Sequence, residues 1–323
     1  MKAFLERLPI LVLEPHSRCN CRCVMCDIWK IADAREIGAA ELERHLADIE
    51  RLGVEWVVFT GGEPLMHSDL FRLSTMLRER GIRTTILSTG LLLEPNAARI
   101  VEGTDEVIVS LDGPAKIHDA IRRVPGAFDS LAEGVGALHG LSPDFPISAR
   151  CTVQARNAAH LRATVQAARD MGFRSLSFLA ADLSSTAFNR PVEWPADRQS
   201  VVAPELAPLE SEMESLIAAY PADGFVLESP EKLRRIAGHF RAHYGLAPHV
   251  APRCNAPWVS AVVESNGDVR PCFFHAVIGN TAGTTLGAVL NGPQAIAFRE
   301  SLRIADNPTC QRCVCSLYVE VRE

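Results

Sequence analysis

Six short apolar runs, each followed by a loop, an amphipathic stretch and a glycine, occupy roughly the first 182 residues of this 323-residue chain. The runs are 10–13, 54–59, 84–87, 107–109, 147–153 and 176–179, and most are near-continuously hydrophobic. That pattern is expected of parallel strands buried on both faces, since a strand with one wet face would alternate. Between the runs, Leu42, Leu46 and Ile49, then Leu70, Leu73 and Leu77, then Leu161, Val165 and Ala168 fall at helical spacing. Each helix is predicted to stop near a glycine (Gly53, Gly81, Gly103, Gly140 or Gly172), the residue that best tolerates the left-handed conformation after a helix. Strands alternating with helices make an α/β parallel structure. Right-handed crossovers close it into a barrel or a partial barrel, here a partial (βα)6 barrel.

The rhythm stops near residue 183. Residues 183–250 are rich in proline and are predicted to hold two helices, near 205–220 and 231–244. From Arg253 onward the chain carries cysteines, and the stretch AVVESNGDVRPCFF reads as a hairpin turning at Asn266-Gly267 in a type I′ turn. Three segments are therefore expected: a partial barrel over 1–182, a helical bridge or lid over 183–252, and a small cysteine-rich domain over 253–323.

The ten cysteines are unevenly spread: four lie in CNCRCVMC at 19–26, Cys151 stands alone, and five follow from Cys254. No secretory signal is expected, because the first apolar run, 8–13, is short and follows Glu6 and Arg7. No apolar stretch approaches the ~18 residues needed to span a bilayer, so no membrane partner is expected and the chain is placed in the cytoplasm. Clustered thiols in that reducing compartment more often hold metal or do chemistry than form disulfides, and two metal sites are expected. A net charge of −6 without a basic run argues against nucleic acid.

Four distinctive sequences directly follow successive strands: the cysteine cluster, Gly61-Gly62-Glu63-Pro64, Ser88-Thr89-Gly90, and Ser110-Leu-Asp112-Gly113. In parallel α/β folds the carboxyl ends of the strands share one rim, where ligands bind. One composite site is expected there.

Cys19-x3-Cys23-x2-Cys26, with Gly-Gly-Glu-Pro after the next strand, resembles the radical S-adenosylmethionine (SAM) superfamily over about residues 8–182. It is not a zinc-ribbon spacing, in which four ligands close the shell. The resemblance implies that Cys19, Cys23 and Cys26 hold a 4Fe–4S cluster with one iron left open. SAM would fill that position, and one electron would cleave it to methionine and a 5′-deoxyadenosyl radical. The resemblance also implies that Met25 packs on adenine (plain core packing is the alternative). By the same resemblance, Gly61, Gly62 and Glu63 receive the methionine amino group, and Ser110 and Asp112 face the ribose and carboxylate. Ser88-Thr89-Gly90 stands where the family commonly has Thr-Asn-Gly, which sets Ser88 near the cofactor and leaves the asparagine's role unfilled. A flavodoxin- or ferredoxin-type electron donor is implied. Cys21 lies outside the pattern, as a spare thiol or a substitute ligand.

Cys254-x12-Gly267-x4-Cys272 and then Cys310-x2-Cys313 resemble the C-terminal extension called SPASM, or its shortened twitch form. The full extension has seven cysteines and two auxiliary clusters. The shorter set here implies one auxiliary 4Fe–4S cluster on Cys254, Cys272, Cys310 and Cys313. Zinc is the alternative, since four cysteines also make a structural zinc site. Cys315 is a substitute for Cys313, a hydrogen-atom donor, or neither. Maturases of this type that oxidise sulfatase cysteine or serine carry an aspartate base after the second auxiliary cysteine. Phe273 occupies that position, so sulfatase maturation is not expected.

The expected function is hydrogen abstraction from a small biosynthetic molecule (a sugar, aminocyclitol or nucleoside-like compound), ending in oxidation, epimerisation or decarboxylation. With strand one beginning near residue 9, no fused peptide-recognition domain is expected ahead of it. The alternatives are a peptide-modifying enzyme and, more remotely, a non-catalytic metal-binding scaffold. Candidates for the substrate step are Cys151, Cys315 and Arg122, with His118, Asp182, Arg190 and His275 as further residues on the active rim or beside the auxiliary thiols.

Overall fold

All six apolar runs form parallel strands: β1 (Ile10–Leu13), β2 (Trp56–Phe59), β3 (Arg83–Ser88), β4 (Glu106–Ser110), β5 (Ile147–Val153) and β6 (Leu176–Ala180). The computed structural model describes residues 2–194, 201–219 and 223–320. Helices α1 (Ala39–Arg51), α2 (Leu70–Arg78), α3 (Leu93–Gly103), α4 (Ala115–Arg122), α5 (Ala127–Leu141) and α6 (Leu161–Asp170) lie between the strands. The spaced residues named above in α1, α2 and α6 are all buried. Each such leucine stabilises the fold by about 1.5–3 kcal/mol.

The glycines divide into two groups. Gly53, Gly81 and Gly172 take positive φ, as the expected helix ends require. Gly103 and Gly140 do not, and they lie within the last turns of α3 and α5. Gly103 is needed for space instead, because a Cβ there would lie 2.7 Å from the Phe71 ring.

Strand residues alternate between two environments. Leu11, Phe59, Ile86, Val107 and Ala149 are buried on the helix side. Ile10, Val12, Trp56, Val58, Leu87 and Ile108 face a lumen of about 350 Å³. The expectation of two buried faces therefore holds fully on the helix side and in part on the lumen side, where Ile10 and Val58 are buried but Val12, Leu87 and Ile108 are half-buried.

The two helices expected beyond the barrel are α7 (Leu206–Ala219) and α8 (Pro230–His243); Tyr220, the expected end of the first, lies outside the described residues. Ser229 caps α8 by accepting from Lys232 N at 3.4 Å, with Pro230 in the first turn. Before α8 the chain bonds along the free edge of β6, with Leu176 N donating to Phe225 O (2.8 Å) and Leu227 N to Leu176 O (3.0 Å). That pairing covers an otherwise open strand edge.

The C-terminal hairpin joins β7 (Ser260–Val263) to β8 (Asp268–Arg270), and β9 (Gly279–Asn280) extends it antiparallel. β7 also pairs in parallel with β1, Ile10 opposite Ser260, so one nine-stranded sheet runs through the barrel and the cysteine segment. The turn differs from the expected type I′. Glu264 N donates to Asp268 O and Gly267 N to Glu264 O, both at 2.8 Å, giving a three-residue loop. Only Gly267 is left-handed there (φ +86°), because Asn266 uses its side-chain oxygen to accept from Asp268 N at 3.0 Å. Among the described residues no helix is long and apolar enough to cross a membrane.

Candidate active site

The four motifs after β1–β4 meet at one rim, held by backbone contacts that only glycine allows. A Cβ on Gly62 would lie 1.9 Å from Arg18 O, and one on Gly61 (φ +96°) 2.9 Å from Glu14 Cβ. The close approach is thus to the loop that carries the cysteines, and Glu63 N donates to Arg18 O at 2.8 Å. His16, buried beneath that loop, contacts Glu63 O through Nε2 at 2.6 Å and accepts from Arg18 N through Nδ1 at 3.1 Å.

The Glu63 carboxylate is fully buried. It accepts from Leu65 N (3.1 Å), Ser88 Oγ (3.0 Å) and Thr89 N (2.6 Å). Burial pushes its pKa up, and the bonds from Thr89, Leu65 and Ser88 oppose that rise. Thr89 Oγ1 then donates to Asn20 Oδ1 at 3.0 Å, tying the third motif to the cysteine loop.

Asp112 is also fully buried. Its carboxylate meets Arg122 Nη2 at 2.6 Å and accepts from Thr152 N at 2.9 Å. Arg122 Nη1 reaches Cys23 Sγ at 3.5 Å, so one guanidinium links the fourth motif to the cysteine loop. The hydrogen bond from the Cys21 thiol and then, against burial, the Arg122 charge hold Cys23 down to about 6. Burial pushes Cys19 and Cys26 up to about 12. A bound cation is what would favour their thiolate forms. All ten cysteines are free thiols. Among the described residues no three His, Cys, Asp or Glu side chains converge on a single metal-ion position. The fit of Cys19, Cys23 and Cys26 to an iron–sulfur cluster rests on their chemistry, three thiols on one loop beside a buried guanidinium.

Met25 is buried, with Gln154 Nε2 at 3.6 Å from its sulfur, and Gln154 Oε1 is buried without a partner. His118 sits under Asp112 rather than on the helix surface. Its Nδ1 accepts from Asp112 N at 3.2 Å, and burial pushes its pKa down to about 3. Ser110 is half-buried and in register with Arg150. Cys151 is fully buried against Asn157 Nδ2 (3.4 Å) and is not among the described residues that line the lumen.

Asp182 and Arg190 engage one another at 2.7 Å, both buried. Arg190 Nε also donates to Met25 O at 3.0 Å, and the guanidinium lies over Trp194 at 4.2 Å. The pair therefore clamps the loop after β6 onto the cysteine loop. The sequence offered no spacing signal for this, because the partners are a hundred and more residues from Met25. Arg150 was also missed, although a lone charge inside the apolar run ISARCTV was a visible signal.

Cys254, Cys272, Cys310, Cys313 and Cys315 all line the lumen, whose described lining includes none of the four rim motifs. His275 Nε2 lies 3.3 Å from Cys310 Sγ, and Arg235 donates to the carbonyls of Cys313 (3.2 Å) and Val314 (3.1 Å). By donor chemistry, five thiols lining one cavity suit a four-thiolate cluster with one to spare. Phe273 stacks on Phe188 with centroids 6.0 Å apart, joining this segment to the loop after β6.

The model of the radical SAM superfamily matches residues 13–179, and that of the SPASM iron–sulfur cluster-binding domain matches residues 254–314. An AdoMet-dependent heme synthase of Methanosarcina barkeri is 29% identical over 50% of this chain, which spans 48% of that protein's length. PqqA peptide cyclase of Ruegeria pomeroyi is 25% identical over 82% of this chain and 67% of its own length. The fold is similar to that of Streptococcus suis SuiB bound to S-adenosylmethionine (TM-score 0.67, 16% identity, 98% of this chain and 74% of SuiB). With a 4Fe–4S cluster and SAM as the cofactors of the barrel and a second iron–sulfur cluster in the SPASM segment, the chain belongs to the radical SAM superfamily.

Proposed function

We propose that the chain acts on a small biosynthetic molecule held in the lumen lined by the C-terminal thiols. The observation that carries this reading is the cavity of about 350 Å³, walled by the barrel strands and bordered on one side by all five C-terminal cysteines. Cys19, Cys23 and Cys26 would hold the cluster, which would supply the electron for reductive cleavage of SAM and so the means of taking hydrogen from substrate.

The residues have separable tasks. Leu65 N, Ser88 Oγ and Thr89 N donate to the Glu63 carboxylate and fix its position, and its negative charge suits the methionine ammonium. Gln154 Oε1, buried and unpartnered beside Met25, suits an amino group of adenine. Asp112 and Arg122 hold the ribose-facing turn rigid and keep a positive charge at Cys23. Four-thiolate closure of the C-terminal site suits electron acceptance, which makes the reaction an oxidation rather than an epimerisation. A flavodoxin- or ferredoxin-type protein in the cytoplasm supplies the electrons.

A peptide substrate is the second reading. It is supported by the likeness to PqqA peptide cyclase over 82% of the chain. Anaerobic incubation with SAM, dithionite and either metabolites or peptides separates the two, following 5′-deoxyadenosine and product together. Metabolite-dependent 5′-deoxyadenosine supports the first reading and peptide dependence the second. Its absence in every arm rejects both.

A further inference from the structure

Among the strand residues that line the lumen, Arg150 alone is charged. It lies on β5 in register with Ser110 on β4 and Ser177 on β6, two small side chains that leave room for a long one between them. Its Nε donates to Ser177 Oγ at 3.1 Å. Among the described residues Arg150 forms no ion pair, and its two Nη groups have no protein acceptor. The side chain is exposed, although it rises from the middle of a parallel sheet, because it projects into the open lumen. The cavity wall is mostly apolar, with Val12, Val58, Ile108, Leu179 and Phe273; it also holds Lys232 and Arg235, of which Arg235 donates to the carbonyls of Cys313 and Val314. Burial pushes up the pKa of Glu228, the acid in that wall, against the smaller lowering effects of the Phe178 bond and the Arg150 charge. Its carboxylate accepts from Phe178 N at 2.8 Å and forms no ion pair with Arg150 among the described residues.

A guanidinium with a free two-nitrogen edge in a mostly apolar chamber is built to grip a planar oxyanion in a bidentate manner. We propose that Arg150, oriented by Ser177, binds a carboxylate of the substrate. The substrate is then an acid with an apolar body, a narrower class than the sugars and nucleosides considered above. This inference rests on the lumen being the substrate site.

The test uses the anaerobically reconstituted holoenzyme with SAM present. One arm compares hydrocinnamate with hydrocinnamamide, and the other compares the capped tripeptides Ala-Glu-Ala and Ala-Gln-Ala, so that a free acid and an acidic peptide side chain are told apart. Binding is read by calorimetry. The acid of at least one pair should bind about ten- to a hundredfold more tightly than its amide. That preference should vanish in Arg150→Gln and survive in part in Arg150→Lys, which keeps the charge but loses the fork. Equal binding of acid and amide in both arms overturns the proposal, as does a preference that persists in Arg150→Gln. So does an Arg150→Gln variant whose SAM affinity falls as far as its acid affinity, because the guanidinium then serves the cofactor. SAM binding and cleavage by the wild-type preparation keep the two readings apart. A protein that cleaves SAM but ignores acids fails this inference alone, and one that cannot cleave SAM fails the functional reading beneath it.

Discussion

Among the rim motifs Cys23 lies against Arg122, whose guanidinium is itself held by Asp112, whereas the five half-buried thiols of the C-terminal segment line a cavity. Each rim loop is tied to another: Glu63 to Ser88 and Thr89, Thr89 to Asn20, Arg190 to Met25. In the C-terminal segment the bonds near the thiols include His275 with Cys310, Ala256 N with Cys254, Cys313 Sγ with Cys315 O, Cys313 N with Cys310 O, Cys310 N with Asn307 Oδ1, and Arg235 with two carbonyls; most stay within the segment itself. The rim motifs are tied to one another by protein hydrogen bonds and one ion pair. The C-terminal set has more donors than a cluster needs and less protein to hold them, so metal binding contributes more to its order.

The largest expected effect contrasts the two sites directly. Cys23→Ala should abolish 5′-deoxyadenosine formation while leaving thermal stability near wild type, because its neighbours stay tied to one another. Cys272→Ala should spare the SAM-cleaving cluster yet loosen the C-terminal segment, seen as faster proteolysis after β7. Equal proteolysis of the two variants would erase the contrast.

Breaking the Asp182–Arg190 pair tests how firmly the rim is braced. Arg190→Met leaves the buried Asp182 carboxylate without its charge partner, although Ser184 and Ser185 still donate to it, and should cost about 3 kcal/mol in denaturant unfolding. The double variant with Asp182→Asn should recover part of that loss. A single-variant cost below ~1 kcal/mol would show that the clamp contributes little.

Much of this architecture was legible in the chain, and the failures have physical reasons. The strands and α1, α2 and α6 follow from local periodicity, and the rim follows from motifs placed after strands. The β1–β7 pairing joins residues some 250 positions apart (Ile10 and Ser260), and no local pattern encodes it. His118 has the spacing of a surface residue, yet the Asp112 turn folds over it. The Asn266-Gly267 turn went the other way because asparagine had a side-chain bond available.

A smaller effect is expected at Glu63. Glu63→Gln keeps the acceptor oxygen but removes the charge, and SAM should bind about ten- to a hundredfold more weakly with iron content unchanged. Unchanged affinity by equilibrium dialysis would remove the carboxylate from the cofactor site.

The smallest effect concerns pH. His118 titrates near 6.5 when unfolded and at about 3 when folded. Between those values the unfolded chain binds a proton that the folded chain does not, so stability falls as pH drops. The slope from this residue is at most about 1.4 kcal/mol per unit. His239, lowered to about 4 by burial, adds to it. His118→Asn should flatten the dependence of unfolding free energy between pH 4 and 6.5, and an unchanged slope would contradict the buried, neutral assignment.

Two iron–sulfur sites in one chain are tested most directly by counting iron in the anaerobically reconstituted protein and in a Cys19/Cys23/Cys26→Ala variant. The expected result is about eight irons per wild-type chain and about four in the variant, from one remaining 4Fe–4S cluster. A wild-type chain with only about four irons and zinc in the C-terminal segment would contradict it.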